Sequence, residues 1–161
     1  MEDDAMSSLE PVEQRAWEVL IQLTTRLPAV IDSRLLRDFG LTHFQYRLLV
    51  LLDRQCDGEL RMVELTHRMG ASISRVSHVV SRLEDQGLAR RIGANGKPGV
   101  HVRLTELGRR MVADVMPWYQ DTARSLILDH LNREETSQLA TLGELLTTRL
   151  AGSRWSTELG A

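Results

Sequence analysis

The chain has 161 residues, of which 42% are hydrophobic, and its formal net charge is −2 at pH 7. This length suits one domain, or one domain with an oligomerisation element, and leaves no room for a second catalytic domain. No run reaches the roughly 18 apolar residues of a membrane helix, and the acidic N-terminus lacks a signal-peptide pattern. A single cysteine, Cys56, excludes an internal disulfide and a cysteine-built metal cluster. We therefore expect a soluble, cytoplasmic protein.

The charge is distributed unevenly along the chain. Residues 61–110 contain ten basic and four acidic side chains, a net charge of +6, and the remainder of the chain carries −8. A basic middle in an acidic chain is typical of a protein that presents one face to phosphate groups. A solvated surface of uneven charge would give the same count.

Two helices are predicted before the basic segment. Apolar residues recur every three or four positions over 11–38, which predicts a long helix that is kinked or broken at Pro28. Thr42 and Gln45 have the spacing of a capping box and predict a second helix over 43–54.

A helix-turn-helix is predicted at the start of the basic segment. Residues 62–69 form a short predicted helix, and Ser72 is placed to cap a further helix that ends at Gly87. Two short helices joined by so tight a turn are typical of this motif. The side chains of the shorter helix that we expect to face inward are Val63, Leu65 and Met69.

A β-hairpin is predicted directly after the helix-turn-helix. Residues 88–93 and 99–104 are strand-like runs, and Asn95-Gly96 between them is the strongest short hairpin signal in the sequence. A basic hairpin in this position predicts a wing.

Two more helices are predicted after the wing. Thr105 begins a fifth helix that is expected to reach about residue 130, interrupted or bent at Pro117. Asn132 and Glu135 have the spacing of a capping box for a last helix with a stripe of leucines. The sequence thus predicts a mainly α-helical protein with a small β-hairpin wing.

The exposed face of the fourth predicted helix is the candidate DNA-reading surface. Its small hydroxyl side chains allow close approach to base edges, and Arg75 and His78 can donate hydrogen bonds to guanine. An ordinary polar helix surface would show the same pattern. Arg82 is expected either to touch a phosphate or to pair with Glu84 or Asp85. The outward residues are Ser74, Arg75, Ser77, His78 and Ser81, and the full set of candidate DNA-binding residues is Ser72, Ser74, Arg75, Ser77, His78, Arg82, Arg91 and Lys97.

Three stretches of the sequence form a specific combination. They are Leu60-Arg61-Met62-x-Glu64-Leu65, Ser72-x-Ser74-Arg75-Val76-Ser77-x-Val79-Val80-x-Arg82-Leu83-Glu84-x-x-Gly87-Leu88 and Leu104-Thr105-Glu106-x-Gly108. In this order they resemble the MarR family of bacterial regulators, and the resemblance covers nearly the whole chain. It implies a homodimer in which the first and last helices of both subunits intertwine, while the winged domains bind a pseudo-palindromic operator. It also implies repression and, in many members, release from DNA by a small aromatic molecule.

The resemblance implies a division of the chain into functional segments. Residues 1–38 and 105–151 would be dimerisation helices, 39–104 the winged helix-turn-helix domain and 152–161 a flexible tail.

The predicted wing departs from the family pattern. Its loop lacks the Asp-x-Arg-Asp or Asp-x-Arg-Gly type of motif and reads Gly93-Ala94-Asn95-Gly96-Lys97-Pro98. Lys97 is the nearest substitute for the wing arginine, and it would act as a point charge without the planar fork of a guanidinium.

A ligand site and a redox site are weaker candidates. The residues that could line a pocket for a small aromatic or anionic effector are Trp17, His43, Tyr46, Arg47 and Trp118, and the alternative is that these aromatics belong to the core or a dimer interface. Cys56 could make the chain a redox-responsive regulator. Because it lies in a loop with no evident resolving partner, the alternative is a passive thiol.

Two other classes of function have weaker support in the sequence. Glu64-x-x-His67 has the spacing of half a di-iron site in a helix bundle, but the second copy is missing. We therefore expect no enzyme activity, no catalytic residue, no metal and no cofactor. The other class is an interaction module whose winged domain binds protein, and such a module should lack salt-dependent DNA affinity.

Overall fold

The computed structural model describes residues 9–93 and 99–152. The chain divides into two compact units, Met1–His43 and Phe44–Ala161. None of the helices in the described residues is both long enough and apolar enough to cross a membrane.

The first unit consists mainly of one long helix, α1 (Pro11–Phe39). The helix runs through Pro28 without a break, so of the two outcomes expected there, a kink or a break, the break does not occur. Proline removes one hydrogen bond of the ladder, and in 29 residues the remaining bonds keep the helix continuous. Gly40 ends α1 in the left-handed conformation, with φ of 69°.

The second helix, α2 (His43–Asp53), starts one residue after Thr42. A carboxylate oxygen of Asp32 accepts a hydrogen bond from the backbone N–H of His43 at 2.5 Å. This bond satisfies one of the amides that the first turn of a helix leaves without a backbone partner.

The second unit contains the remaining elements. In chain order they are β1 (Glu59–Arg61), α3 (Met62–Met69), α4 (Ile73–Asp85), β2 (Ala89–Ile92), β3 (His101–Leu104), α5 (Glu106–Leu126) and α6 (Arg133–Ala151), with a short 3-10 turn at Leu128–His130.

The predicted helix-turn-helix is confirmed as α3 and α4. Gly70 ends α3 with φ of 59°, and the hydroxyl of Ser72 accepts a hydrogen bond from the backbone N–H of Arg75 at the start of α4. Leu65 is buried, but the prediction that Val63 faces inward was wrong, because 71% of Val63 is exposed. The buried stripe of α3 consists of residues spaced by three and four, namely Met62, Leu65 and Met69. Val63 lies about two residues, or 200°, away from Leu65 around the helix.

The wing is a three-stranded antiparallel sheet with the strand order β1-β3-β2. The predicted hairpin is confirmed in the pairing of β2 with β3, which sets Arg91 opposite Val102. Strand β1 was not predicted, and it places Leu60 opposite Val102 on the other edge of β3. The Asn95-Gly96 turn lies outside the described residues.

The fully buried aliphatic side chains of the second unit come from five of its elements. They are Leu48, Leu49 and Leu52 of α2, Leu65 of α3, Val76, Val80 and Leu83 of α4, Val102 of β3 and Val115 of α5. Since α4 contributes three of them, its opposite face is left for solvent or a ligand.

Helices α5 and α6 differ from the prediction only in detail. The chain continues as one helix through Pro117 and stops at Leu126, short of the expected end near residue 130. The capping box of α6 is confirmed, because the side chain of Asn132 accepts from the N–H of Glu135 and the Glu135 carboxylate accepts from the N–H of Asn132. Most of the predicted tail, residues 153–161, lies outside the described residues.

Candidate nucleic-acid interface

Helix α4 exposes a polar face made of short side chains and two long donors. Ser74, Arg75 and His78 are exposed, and Ser72 is half-buried at the N-cap. The hydroxyls of Ser72 and Ser74 lie 3.1 Å apart. The first turns of α4 therefore offer hydroxyl, guanidinium and imidazole groups to a partner, all of which can hydrogen-bond to base edges.

Arg75 is held against an aromatic ring. Its guanidinium carbon lies 4.6 Å from the centroid of the Phe44 ring, in the first turn of α2. A cation over a ring face at this distance is attracted to the negative face of the ring. This contact limits the orientations of the Arg75 side chain before any partner binds.

A hydrogen-bonded network joins α4 to strand β2. Arg91 donates from Nη2 to the carbonyl oxygen and the hydroxyl of Ser77 at 2.7 and 3.0 Å, and from Nη1 to the hydroxyl of Ser81 at 3.1 Å. Nη1 also binds the carboxylate of Glu84, and the backbone N–H of Arg91 donates to that carboxylate at 2.6 Å. Both serines are half-buried. Two of the predicted DNA-binding residues, Ser77 and Arg91, thus bind each other.

Eight of the ten basic residues of the segment 61–110 fall into two groups according to their ion pairs. Five of them contact carboxylates: Arg68 with Glu64, Arg91 with Glu84, Arg103 with Glu59, Arg109 with Asp53 and Arg110 with Glu106. Arg75, Arg82 and Arg90 are exposed and form no ion pair within residues 9–93 and 99–152. Their positive charge is therefore concentrated on α4 and the adjoining strand β2. Lys97 lies outside the described residues.

A polar cluster of Glu59, His101 and Arg103 joins two strands of the sheet. The carboxylate of Glu59 on β1 contacts His101 Nδ1 at 2.8 Å and Arg103 Nη2 at 2.6 Å, both on β3. Only 4% of the Glu59 side chain is exposed, and the cluster ties the two strands together. Sequence reasoning missed it because Glu59 and Arg103 are 44 residues apart and β1 spans three residues.

The predicted effector residues do not all belong to one unit. Trp17 is exposed and His43 half-buried in the first unit, whereas in the second unit Arg47 is exposed and Trp118 half-buried. The set as a whole stays a prediction.

Tyr46 is the buried member of that set, and it contacts an aromatic residue that the sequence did not single out. Its ring centroid lies 5.0 Å from that of Tyr119, with the planes inclined by 46°. Its hydroxyl lies 3.7 Å from the sulfur of Met116. Burial raises the pKa of Tyr46 to about 12 and also raises the pKa of Tyr119, an effect that the positive charge of Arg47 opposes.

The weaker candidates were Cys56 for a redox site and Glu64-x-x-His67 for a metal site. Cys56 is an exposed thiol in the loop after α2. The carboxylate of Glu64 is 2.5 Å from Arg68. Within the described part of the chain, no three or more His, Cys, Asp or Glu side chains are grouped to hold a metal ion.

Solved structures of similar proteins cover almost the whole chain. Sco3205, a MarR family transcriptional regulator from Streptomyces coelicolor solved in complex with DNA, is 33% identical with a TM-score of 0.84, and the match covers 89% of this chain and 94% of that one. AbsC, a MarR family transcriptional regulator from the same organism, is 28% identical with a TM-score of 0.84, covering 92% and 100% of the two chains.

A comparison with curated sequences points the same way. The transcriptional repressor MprA of Escherichia coli is 26% identical over 136 residues, which cover 80% of this chain and 77% of MprA. No family model matches the sequence.

Proposed function

The chain belongs to the MarR family of transcriptional regulators, and we propose that it represses transcription by binding a two-fold symmetric DNA site as a homodimer. Repression is supported by the similarity to MprA, which is a transcriptional repressor. DNA binding is supported by the similarity to Sco3205, which was solved in complex with DNA.

The observation that carries the proposal is the exposed face of α4. Ser74, Arg75 and His78 are exposed on the side opposite the buried valines, and Arg75 rests against Phe44. A helix-turn-helix places its second helix in the major groove, where guanine presents two acceptors to an arginine fork. We assign base contacts to Arg75 and His78 and close approach to the DNA to Ser72 and Ser74.

We assign contacts with the DNA phosphate backbone to basic residues that have no ion pair in the described part of the chain, and to the predicted wing cation. Arg82 and Arg90 are exposed on α4 and β2, and Lys97 is the predicted wing cation. Contacts to phosphate supply affinity that depends on salt and not on sequence.

The homodimer is proposed from leucines that a single chain leaves uncovered. Leu139, Leu142, Leu145, Leu146 and Leu150 of α6 are 45–66% exposed, and Leu20 and Leu23 of α1 are 38% and 46% exposed. Exposed leucines in such number mark an interaction site, and a two-fold axis lets the same surface serve both subunits. Two α4 helices related by that axis would meet half-sites about 10 base pairs apart.

Selection of bound DNA from a random pool tests the proposal. We expect palindromic sequences with half-sites separated by about one helical turn, and affinity that falls steeply as the salt concentration rises. The alternative interaction module predicts no enrichment and no salt-dependent DNA affinity. Gel-shift competition with unrelated DNA separates the two.

A small aromatic anion is proposed as an effector that releases the protein from DNA. The proposal is supported by the aromatic pair Tyr46 and Tyr119, with the cation of Arg47 close enough to lower the pKa of Tyr119. Such a ligand can act only if it prefers the conformation that does not bind DNA, since equal affinity for both conformations shifts nothing.

A further inference from the structure

Arg91 joins the wing to α4 with nearly all of its hydrogen-bonding capacity. A guanidinium has five N–H groups. Four of them are directed at α4, toward Ser77 twice and toward Ser81 and Glu84 once each. This leaves one N–H, so the planar fork that binds a phosphate through two parallel bonds is not available.

The acceptors for Arg91 follow α4 along its length. Ser77, Ser81 and Glu84 are spaced by four and three residues, so they lie on one face of the helix over two turns. The backbone N–H of Arg91 adds a further bond to Glu84. Because side chain and backbone are both engaged, β2 can neither slide along α4 nor rotate about it without losing several bonds.

The charge of Arg91 is matched within the protein. The side chains of Arg91 and Glu84 are each 29% exposed, and the carboxylate directly contacts the guanidinium. A compensated, half-buried charge contributes little to the field that DNA phosphates sense. Arg82, one residue beyond Ser81 and exposed without an ion pair in the described residues, is in the opposite situation.

We propose that Arg91 is a positioning residue that sets the angle between α4 and the wing, and that it is not a phosphate contact. The inference rests on the proposed DNA-binding function. A preferred DNA site contacts α4 and the wing together, so a less fixed angle between them weakens binding to that site. Unspecific binding tolerates many orientations of the two elements on the DNA.

Glu84→Gln should change DNA affinity in opposite directions under the two roles of Arg91. Glu84→Gln removes one negative charge beside the DNA surface while it keeps the shape of the side chain. If Arg91 were a phosphate contact, this change would release it and raise affinity for all sequences. If Arg91 positions α4, Glu84→Gln and Arg91→Met should each weaken binding to the selected site about tenfold, the scale of one lost charge-assisted hydrogen bond. Arg91→Met should leave binding to unrelated DNA within about twofold, since general phosphate contacts supply it.

The salt dependence of binding separates the roles independently of affinity. The slope of log K against log salt should be unchanged in Arg91→Met, because no released counterion is lost. In the control variant Arg82→Met the slope should fall by about one charge per subunit. Arg91→Lys should restore part of the preference for the selected site, since a lysine can pair with Glu84 but cannot reach both serines.

Because an unfolded variant would lose DNA binding whatever the role of Arg91, the folding of each variant is measured first. Circular dichroism first shows whether Arg91→Met is folded, and if it is not, Ser81→Ala replaces it, because this change removes one acceptor only. A smaller salt slope in Arg91→Met, or a gain of affinity in Glu84→Gln, would overturn the positioning role. If the wild-type protein selects no DNA sequence, the proposed function fails. Normal wild-type selection with unchanged selectivity in both Glu84→Gln and Arg91→Met, or in Ser81→Ala where it replaces Arg91→Met, refutes the positioning role alone.

Discussion

Gly108 on α5 lies directly against the backbone of Leu88, so that a β-carbon at position 108 would be 2.0 Å from the Leu88 carbonyl oxygen. That oxygen accepts a hydrogen bond from the backbone N–H of Thr105 at 3.1 Å. The Thr105 hydroxyl lies 3.0 Å from the same oxygen and 2.7 Å from the carbonyl oxygen of Gly87, to which it donates. The Thr105 hydroxyl in turn accepts from the N–H of Gly108 at 3.0 Å. The residues Leu104-Thr105-Glu106-x-Gly108 therefore join the start of α5 to the end of the α4 segment, at the base of the wing.

Replacing Gly108 by alanine should destabilise the protein. The added methyl group meets a backbone oxygen that is already bonded to Thr105, so relief requires a shift of the backbone and costs about 1–3 kcal/mol. Thermal unfolding followed by circular dichroism at fixed protein concentration measures the loss. Gly152→Ala is the matched control, because its β-carbon would come no nearer than 3.7 Å to the carbonyl oxygen of Thr148. Equal melting temperatures for both variants would contradict the close approach at Gly108.

Arg75 and Lys97 should contribute differently to DNA binding. Arg75→Ala removes a possible bidentate base contact and should cost about 1–3 kcal/mol on the preferred site, with relaxed selectivity at one position per half-site. Lys97→Ala should weaken all sequences alike and lower the salt slope by about one charge per subunit. Repeated selection from a random pool and salt titrations measure both effects. Our assignment of α4 and the wing is wrong if Lys97→Ala alters the base preference and Arg75→Ala does not.

Removal of α6 should abolish the dimer. A chain that ends at Asn132 lacks the five exposed leucines of α6. We expect it to lose tight operator binding, because a monomer cannot bind both half-sites of the operator at once. Light scattering should give twice the subunit mass of 18.3 kDa for the full chain.

A single substitution among the exposed leucines of α6 tests the dimer without truncating the chain. Leu146 is 45% exposed, and Leu146→Glu places a charge within the proposed interface, which should shift the protein toward monomer at micromolar concentration. Thr148→Glu is the control, because residue 148 lies about 200° around the helix from Leu146. A folded wild-type monomer at micromolar concentration would rule out the obligate dimer.

The two tyrosines should ionise at higher pH in the folded protein than in the unfolded chain. Tyr46 and Tyr119 are the only tyrosines, and burial raises the pKa of Tyr46 from 10.0 to about 12 and that of Tyr119 in the same direction. Since the folded pKa lies above the unfolded one, the stability from the neutral hydroxyl is fully present below pH 10.0 and is lost as pH rises toward 12. Tyrosinate absorbance, with guanidinium-unfolded protein and Tyr46→Phe as controls, measures the shift. Half-ionisation at pH 10.0 in the folded state would contradict it.

A salicylate-like anion should reduce DNA affinity if the effector site lies near Tyr46 and Arg47. Binding to the folded protein should also raise its melting temperature. Gel shifts and thermal unfolding over a wide range of salicylate concentrations measure both effects, and Arg47→Ala should weaken them by removal of the cation. Should salicylate change neither quantity, the aromatic-anion hypothesis is to be abandoned.

The sequence alone predicted the helices of the winged domain closely. The bounds 62–69 for α3 and the cap at Ser72 agree with the structure, and so does the capping box of Asn132 and Glu135. These features depend on residues within one or two turns of each other, and apolar periodicity and capping are local signals. The local signals did not decide every position. The assignment of Val63 to the buried face of α3 was wrong, because the apolar periodicity of this short helix fits two neighbouring placements of the buried stripe.

Local patterns in the sequence are enough to predict which segments are helical and which face of α4 is polar, whereas the partner of each charged side chain depends on the folded structure. Arg75, Arg91 and Arg103 are equivalent in a count of basic residues, yet one rests on Phe44, one is bound to Glu84 and one pairs with Glu59 from 44 positions away. Strand β1 likewise exists through its pairing with β3 and not through any pattern in its three residues. The physical reason is that an ion pair or a strand pair requires a partner brought close by the fold, and its energy depends on the distance and burial that the packed chain imposes.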